Sequence, residues 1–231
     1  MYSEVEAIRQ RYARFKQLPE YLLYEPLNPY SYMTYEEKRR AFIRWIHWAG
    51  LAPVRDKRVL EIGCGFGDNL LQLISLGFQP ENLIGNELLE ERALRARYLL
   101  PKDSQVLLGD ASTLKLEKNS FDVILQATVF TSILDDNFQQ TLANYIWSLI
   151  KPNGGILWYD FIFNNPKNPD VRGVPIKRIY KLFPKGEIKV WRLTLAPPIN
   201  RRITKIHPNL YYLLNMMPFL RTHALCWIKK S

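Results

Sequence analysis

Apolar residues near the start of the chain fall at Val5, Ile8, Tyr12 and Phe15, three or four positions apart, with arginines and lysines between them. That spacing predicts an amphipathic helix with a basic outer face. The stretch that follows, LPEYLLYEPLNPYSY, contains Pro19, Pro26 and Pro29 and is expected to be irregular. A second helix is predicted from about residue 34 to residue 49, carrying Phe42, Trp45, Ile46 and Trp48, with Gly50 as its stop. From Lys57 onward short β-rich runs (RVLEI, NLIGNEL, SQVLLGD, FDVILQA, GGILWYDFIF) alternate with helical patterns. This alternation predicts an α/β fold built of βαβ units, a mostly parallel sheet with helices on both faces. One of those helices, near 136–150, would bury Phe138, Leu142, Ile146 and Leu149 before KPNGG interrupts it. A short helix near 172–182, a strand EIKVWRLTL, an irregular helical stretch and a last strand HALCWIKK complete the chain. Late strands without a full crossover between them are expected to pair antiparallel at one edge of the sheet.

The run VLEIGCGFGDNL, residues 59–70, sits where the first of these strands should turn into a helix. Such a turn leaves the first backbone N–H groups of the helix pointing outward. Gly63, Gly65 and Gly67 lack the Cβ atoms that would keep a ligand off that backbone, and they tolerate positive φ. The spacing is GxGxG rather than the GxGxxG of a dinucleotide fingerprint. Glu61, two residues before the first glycine, puts negative charge at the strand tip, which suits a cationic ligand better than a pyrophosphate. Glu87 ends the second strand, where a carboxylate can accept from both hydroxyls of a ribose. Asp110, after Gly109 at the third, can accept from an exocyclic amine of a purine. Ribose, amine-bearing base and cationic tail together describe S-adenosylmethionine.

In their order and spacing, EIGCGFG, LIGNELLEERALRAR, VLLGDAS, FDVILQ and LIKPNGGILWYD resemble the class I S-adenosylmethionine-dependent methyltransferases over about residues 57–163. The resemblance implies a Rossmann-like seven-stranded sheet with S-adenosylmethionine as cofactor. It assigns Glu61, Gly63, Cys64, Gly65 and Gly67 to the first cofactor motif, and Glu87, followed by Leu88, to the ribose. It assigns Asp110 and Ala111 to the adenine, and Gln126, leaving the fourth strand, to the methionine part. Asn86 departs from the family pattern, in which GxD is commoner than GNE. The family also folds N-terminal helices over the site, so residues 1–56 are expected to form a helical lid on a cofactor-binding domain of residues 57–231.

The acceptor side should lie beyond the fourth and fifth strands. There Thr131, Ser132 and Asp135 offer polar groups toward the transferred methyl, and Asn164, Asn165, Asn168, Arg172 and Lys177 lie in a loop stiffened by Pro166 and Pro169. Amides and cations on a rigid frame suit polyhydroxylated or phosphorylated ligands. Tyr32, with Tyr12, Tyr30 and Tyr35, can wall the site, although packing explains a tyrosine-rich segment equally well. For an oxygen nucleophile Asp160 is the leading general base and His223 the second choice, provided that burial raises the Asp160 pKa. His47, Cys226, Trp158 and Tyr159 read as structural, and His207 as exposed.

Charge narrows the choice of acceptor. Of the 231 residues, 32 are lysine or arginine against 22 aspartate or glutamate, a net charge of +10 that favours anionic partners. The expected acceptor is a small molecule or glycan, phosphorylated or lipid-linked. The strand-four end lacks the N/D-P-P-Y-like tetrapeptide of many amino-group methyltransferases, which places RNA second and a non-catalytic binding protein third. Two distant cysteines and the absence of a metal-ligand spacing argue for a reducing, cytoplasmic setting and no metal. No apolar run approaches the roughly 20 residues that span a bilayer. The LLNMMPFL segment, residues 213–220, reads as core, a dimer contact or a membrane-surface patch.

Overall fold

The structure, a computed structural model, describes residues 3–16, 25, 27–166 and 168–231. Most of the proline-rich stretch with Pro19 and Pro26 lies outside them. One sheet holds β1 (Val59–Ile62), β2 (Leu83–Glu87), β3 (Gln105–Leu108), β4 (Phe121–Ala127), β5 (Ile150–Phe161), β6 (Gly186–Leu195) and β7 (Arg221–Lys230), in the order β3-β2-β1-β4-β5-β7-β6. Strands β1 to β5 are parallel. As expected for the late strands, β7 runs antiparallel to both its neighbours, so the edge strand β6 points the same way as β5. The strand order reverses between β1 and β4, which opens a crevice at their carboxyl ends.

Eight helices accompany the sheet among the described residues: α1 (Glu4–Lys16), α2 (Pro29–Trp48), α3 (Asp68–Ser75), α4 (Glu90–Leu99), α5 (Asp136–Leu149), α6 (Ile176–Leu182), α7 (Pro197–Ile203) and α8 (Leu210–Asn215). Helix α2 starts five residues earlier than the proline content suggested. Pro29 occupies the first helical turn, where its missing N–H costs nothing, and Asn28 Oδ1 accepts from the Tyr30 N–H at 3.0 Å.

Side chains alternate across the sheet, and each face has its own core. On one face Leu60, Ile62, Ile124 and Trp158 meet Leu142, Ile146 and Leu149 of α5 and Ile8 of α1. On the other Val59, Val123, Leu125 and Leu157 meet Phe42, Trp45 and Ile46 of α2 and Leu70 and Leu73 of α3. Trp45, fully buried, packs on Trp227 with ring centroids 5.4 Å apart. Truncating such a residue costs about 3–5 kcal/mol, so α2 is part of the folded body. The same alternation sends Glu61, Tyr159 and His223 to the α2 face, and Gln126 and Asp160 to the α5 face.

Between β6 and β7 the chain makes an excursion through α7 and α8. It leaves from the carboxyl end of β6, the end of the sheet at which the crevice opens. Its inner side forms a third, small core of Met33, Leu195 and Tyr211. Glu37 of α2, buried beneath it, accepts from the Thr194 N–H at 2.9 Å, from Asn215 Nδ2 at 2.6 Å and from the Tyr211 hydroxyl.

Candidate active site

The turn after β1 is built as its glycines require. Gly63, Gly65 and Gly67 have φ of +65°, +58° and +90°, a region that L side chains adopt only under strain. A Cβ on Gly63 would come within 2.6 Å of the Val129 side chain, whereas one on Gly65 would meet nothing within 4 Å. The Gly65 backbone is therefore an open floor. Glu87 fixes it from the tip of β2, where Oε2 accepts from the Gly65 N–H at 2.8 Å and Oε1 from the Leu89 N–H at 2.9 Å. Each oxygen keeps a second lone pair for a ligand hydroxyl. Helix α3 begins after Gly67 without a side-chain cap, which leaves its first amides facing the turn.

Cys64 and Asn86 hold this geometry from behind. The Cys64 N–H donates to the Asn86 carbonyl at 2.8 Å, and its buried Sγ lies 2.7 Å from where a Cβ on Gly85 would be. Burial, with Glu61 and Glu87 nearby, pushes the thiol far above its usual pKa and leaves it unreactive. Asn86 Nδ2 donates to the carbonyls of Gly109 at 3.0 Å and Leu107 at 3.3 Å. Asparagine at this point of departure from the family pattern thus ties the tip of β2 to that of β3.

Glu61 is fully buried. Asn69 donates to its Oε1 at 2.6 Å, while Oε2 has no partner. Burial pushes its carboxyl up to about 8, against the opposing effects of the Asn69 hydrogen bond and the nearby Lys38 ammonium. Lys38 reaches in from α2, 5.7 Å from the Tyr159 ring centroid and 6.0 Å from that of Tyr35. Burial lowers its pKa, and Glu61 and Asp68 oppose that. Past β3, Gly109 has φ +131° and nothing within 4 Å of an added Cβ. Asp110 accepts from the Ser112 N–H at 2.8 Å and caps the 3-10 turn Ala111–Thr113. Leu88 and Ala111 are half-buried against the α5-face core.

On the acceptor side the predicted residues divide between the two faces of the sheet. Gln126, fully buried, accepts from the Val129 N–H at 3.2 Å. Asp160 is also fully buried; its Oδ1 accepts from Thr131 Oγ1 at 2.6 Å and its Oδ2 has no partner. Burial pushes this carboxyl up to about 7, with the Thr131 hydrogen bond pulling the other way. Ser132 Oγ lies 3.2 Å from the Tyr12 hydroxyl of α1. Asp135 is exposed and caps α5 through the Phe138 N–H at 2.7 Å. His223 lies on the opposite face from Asp160, stacked on Tyr159 at 5.2 Å and 16°. Burial, with Lys38 as a lesser cause, pushes its imidazole down to about 3.

The loop after β5 folds back on the Thr131 turn, since the Arg172 N–H donates to the Thr131 carbonyl at 2.8 Å. Asn164 closes the loop by accepting from the Gly173 N–H at 3.0 Å, and the Arg172 guanidinium pairs with Asp136. Asn164 and Asn165 are exposed, as is Tyr32 on α2.

Sequence reasoning passed over Lys38 and Glu37, which lie in a charged run, EEKRR, that reads as solvated surface. It also missed Arg92, whose guanidinium stands 4.5 Å from the Tyr12 ring centroid and 5.6 Å from that of Phe66, beside the glycine turn.

Comparison with known proteins agrees with this fold. Residues 59–154 match the family model described as a methyltransferase domain. A 121-residue stretch is 26% identical to the tRNA N(3)-methylcytidine methyltransferase Mettl2 of Drosophila melanogaster, and the match covers 49% of this chain and 37% of that protein. Among solved structures, an S-adenosylmethionine-dependent methyltransferase from Mesorhizobium loti superposes with TM-score 0.59 at 17% identity, covering 77% of this chain and 92% of that one. One from Archaeoglobus fulgidus superposes with TM-score 0.60 at 16% identity, covering 85% and 94%. The open backbone at Gly65 and Gly109 and the unpartnered, buried Glu61 Oε2 fit a flat nucleoside with a cationic tail. Residues 59–154 thus resemble a methyltransferase domain, and the chain has the fold of S-adenosylmethionine-dependent methyltransferases.

Proposed function

We propose that the protein methylates an oxygen of a small-molecule or glycan acceptor. The observation that carries this reading is Asp160, a buried carboxyl with one unpartnered oxygen and a pKa raised to about 7, two strands from the glycine turn. S-adenosylmethionine supplies a methyl group already activated by its sulfonium, so the protein has to align an acceptor and remove its proton. Gly65, Glu87 and Asp110 would hold the nucleoside, and Glu61 and Lys38 its charged amino-acid end. Asp160 is the general base in this reading, and a proton-binding carboxyl near neutrality is suited to that task. Thr131 holds one of its oxygens, and the turn Phe130–Ser132 has to shift for an acceptor to reach the other. His223 ranks second, because an imidazole pushed down to about 3 is neutral but a weak base. Helix α1 acts as the lid, through Tyr12 at Ser132, while α2, part of the folded body, brings Lys38 to Tyr159.

RNA is the second reading, favoured by the tRNA-modifying relative and by the net charge of +10. A radiolabelled methyl-transfer screen over sugars, lipid-linked glycans and total RNA separates the two. Label in a glycan fraction, lost in Asp160→Asn, supports the proposal. Label in RNA alone overturns it, and failure to bind S-adenosylhomocysteine would leave only a binding protein with this fold.

A further inference from the structure

From Ala196 to Arg221 the chain has no aspartate or glutamate, while Arg201, Arg202, Lys205 and Arg221 are basic. This is the α7–α8 excursion. Its inner side, Tyr211 with Ile199, Ile203 and Leu214, packs on Met33 of α2 and Leu195 of β6, so its outer side is presented in one orientation. That outer side is apolar: Ile206 is 77% exposed, Leu213 59%, Met216 73% and Phe219 78%. Scattered apolar residues on a surface need no explanation, but four exposed ones within residues 206–219, a segment without acidic residues, do.

Beside this segment, which contributes Asn215 to its lining, lies a groove of about 650 Å³ between α2, β6 and α8, lined by Arg40, Arg44, Arg192 and Arg221. Among the described residues none of these four guanidinium groups is in an ion pair with a carboxylate. Glu37, the one acid of the groove, is already bonded to Thr194, Tyr211 and Asn215. Cations without counter-ions beside apolar side chains held out in water have one matching partner, a surface with anionic headgroups over hydrocarbon. A nucleic-acid strand would match the arginines but leave Ile206, Leu213, Met216 and Phe219 in water.

We infer that the α7–α8 excursion and its arginine groove dock the protein on an anionic lipid bilayer. Phe219, Met216, Leu213 and Ile206 enter the headgroup boundary, and the exposed Arg44 takes a lipid phosphate, with Arg40, which donates to the Tyr212 hydroxyl at 3.2 Å, beside it. Arg192 and Arg221 donate to backbone carbonyls and add positive charge to the groove. The contact is peripheral, since among the described residues no helix is long and apolar enough to cross a membrane. Because the excursion leaves from the end of the sheet where the crevice opens, a docked protein turns its methyl-transfer site toward acceptors held at that surface.

The test is sedimentation of the full chain with phosphatidylcholine vesicles with and without phosphatidylglycerol. Binding is expected to the anionic vesicles only, and to weaken with salt. It should fall at least about tenfold in Phe219→Asp and again in Arg44→Glu. Both side chains face solvent, and an unchanged affinity for S-adenosylhomocysteine would show that the variants fold. No binding to anionic vesicles, or equal binding to both kinds, overturns the proposal. So does tight RNA binding that Phe219→Asp leaves intact in the absence of vesicle binding. Vesicle binding needs no turnover, so its failure leaves the methyl-transfer reading standing.

Discussion

In the proposed function Glu61 couples cofactor binding to protonation. Its carboxyl, pushed up to about 8 in the ligand-free site, is largely protonated at neutral pH, and a bound sulfonium and ammonium favour the ionised form. Binding S-adenosylmethionine should therefore release protons, and affinity should rise with pH until it levels above about 8. Calorimetry in buffers of differing ionisation enthalpy measures this. S-adenosylhomocysteine, which lacks the sulfonium charge, should show a shallower slope, and Glu61→Gln should flatten both. Glu87→Ala removes the acceptor for the Gly65 and Leu89 amides and, in the proposed function, the ribose contact. It should cost about 1.5–3 kcal/mol of ligand affinity, roughly 10- to 100-fold, with the circular dichroism unchanged. The placement of Glu61 and Glu87 was legible in the sequence because each sits at the end of a short apolar β-run, Glu61 beside the glycine turn. Lys38 was not, because whether a charge in EEKRR is solvated depends on Tyr159 and His223, far along the chain.

Among the elements, α2 depends most on Glu37. Its carboxyl serves three donors from β6 and α8, two of them side chains of buried residues. Glu37→Ala leaves the Thr194 amide, the Tyr211 hydroxyl and Asn215 without that acceptor and should destabilise the fold by about 2–4 kcal/mol in urea denaturation. Glu37→Gln should lose less. If the alanine variant is as stable as the wild type, the carboxyl does not hold the excursion to α2. Helix positions were readable from apolar spacing, and α5 falls within one residue of expectation. The start of α2 was not, since proline reads as a breaker and only the Asn28 cap shows that Pro29 sits in the tolerated first turn.

Across the whole molecule, the buried acids make stability depend on pH. An unfolded Asp160 ionises near 3.8, but the folded one keeps its proton to about 7. The folded state therefore binds the extra proton between those values, and its stability falls as pH rises from about 4 to about 7. The loss attributable to Asp160 is at most about 4 kcal/mol. Asp160→Asn should lose less stability than wild type between pH 5 and pH 8 in urea titrations. Glu61 slopes the same way, so the difference between the two proteins isolates Asp160. An identical slope in both would show that the carboxyl is not held protonated. The sheet as a whole was legible as alternating β and helical runs, and so was its antiparallel edge. That β7 inserts between β5 and β6 was not, because strand order depends on packing between distant segments.

That insertion also orders events during synthesis. While β7 is still inside the ribosome, β1 to β5 have all their parallel partners, but β6 has no strand to pair with. The glycine turn can thus assemble on a nascent chain well before the segment from α7 onward finds its seat, and that unpaired edge is the form a chaperone would meet.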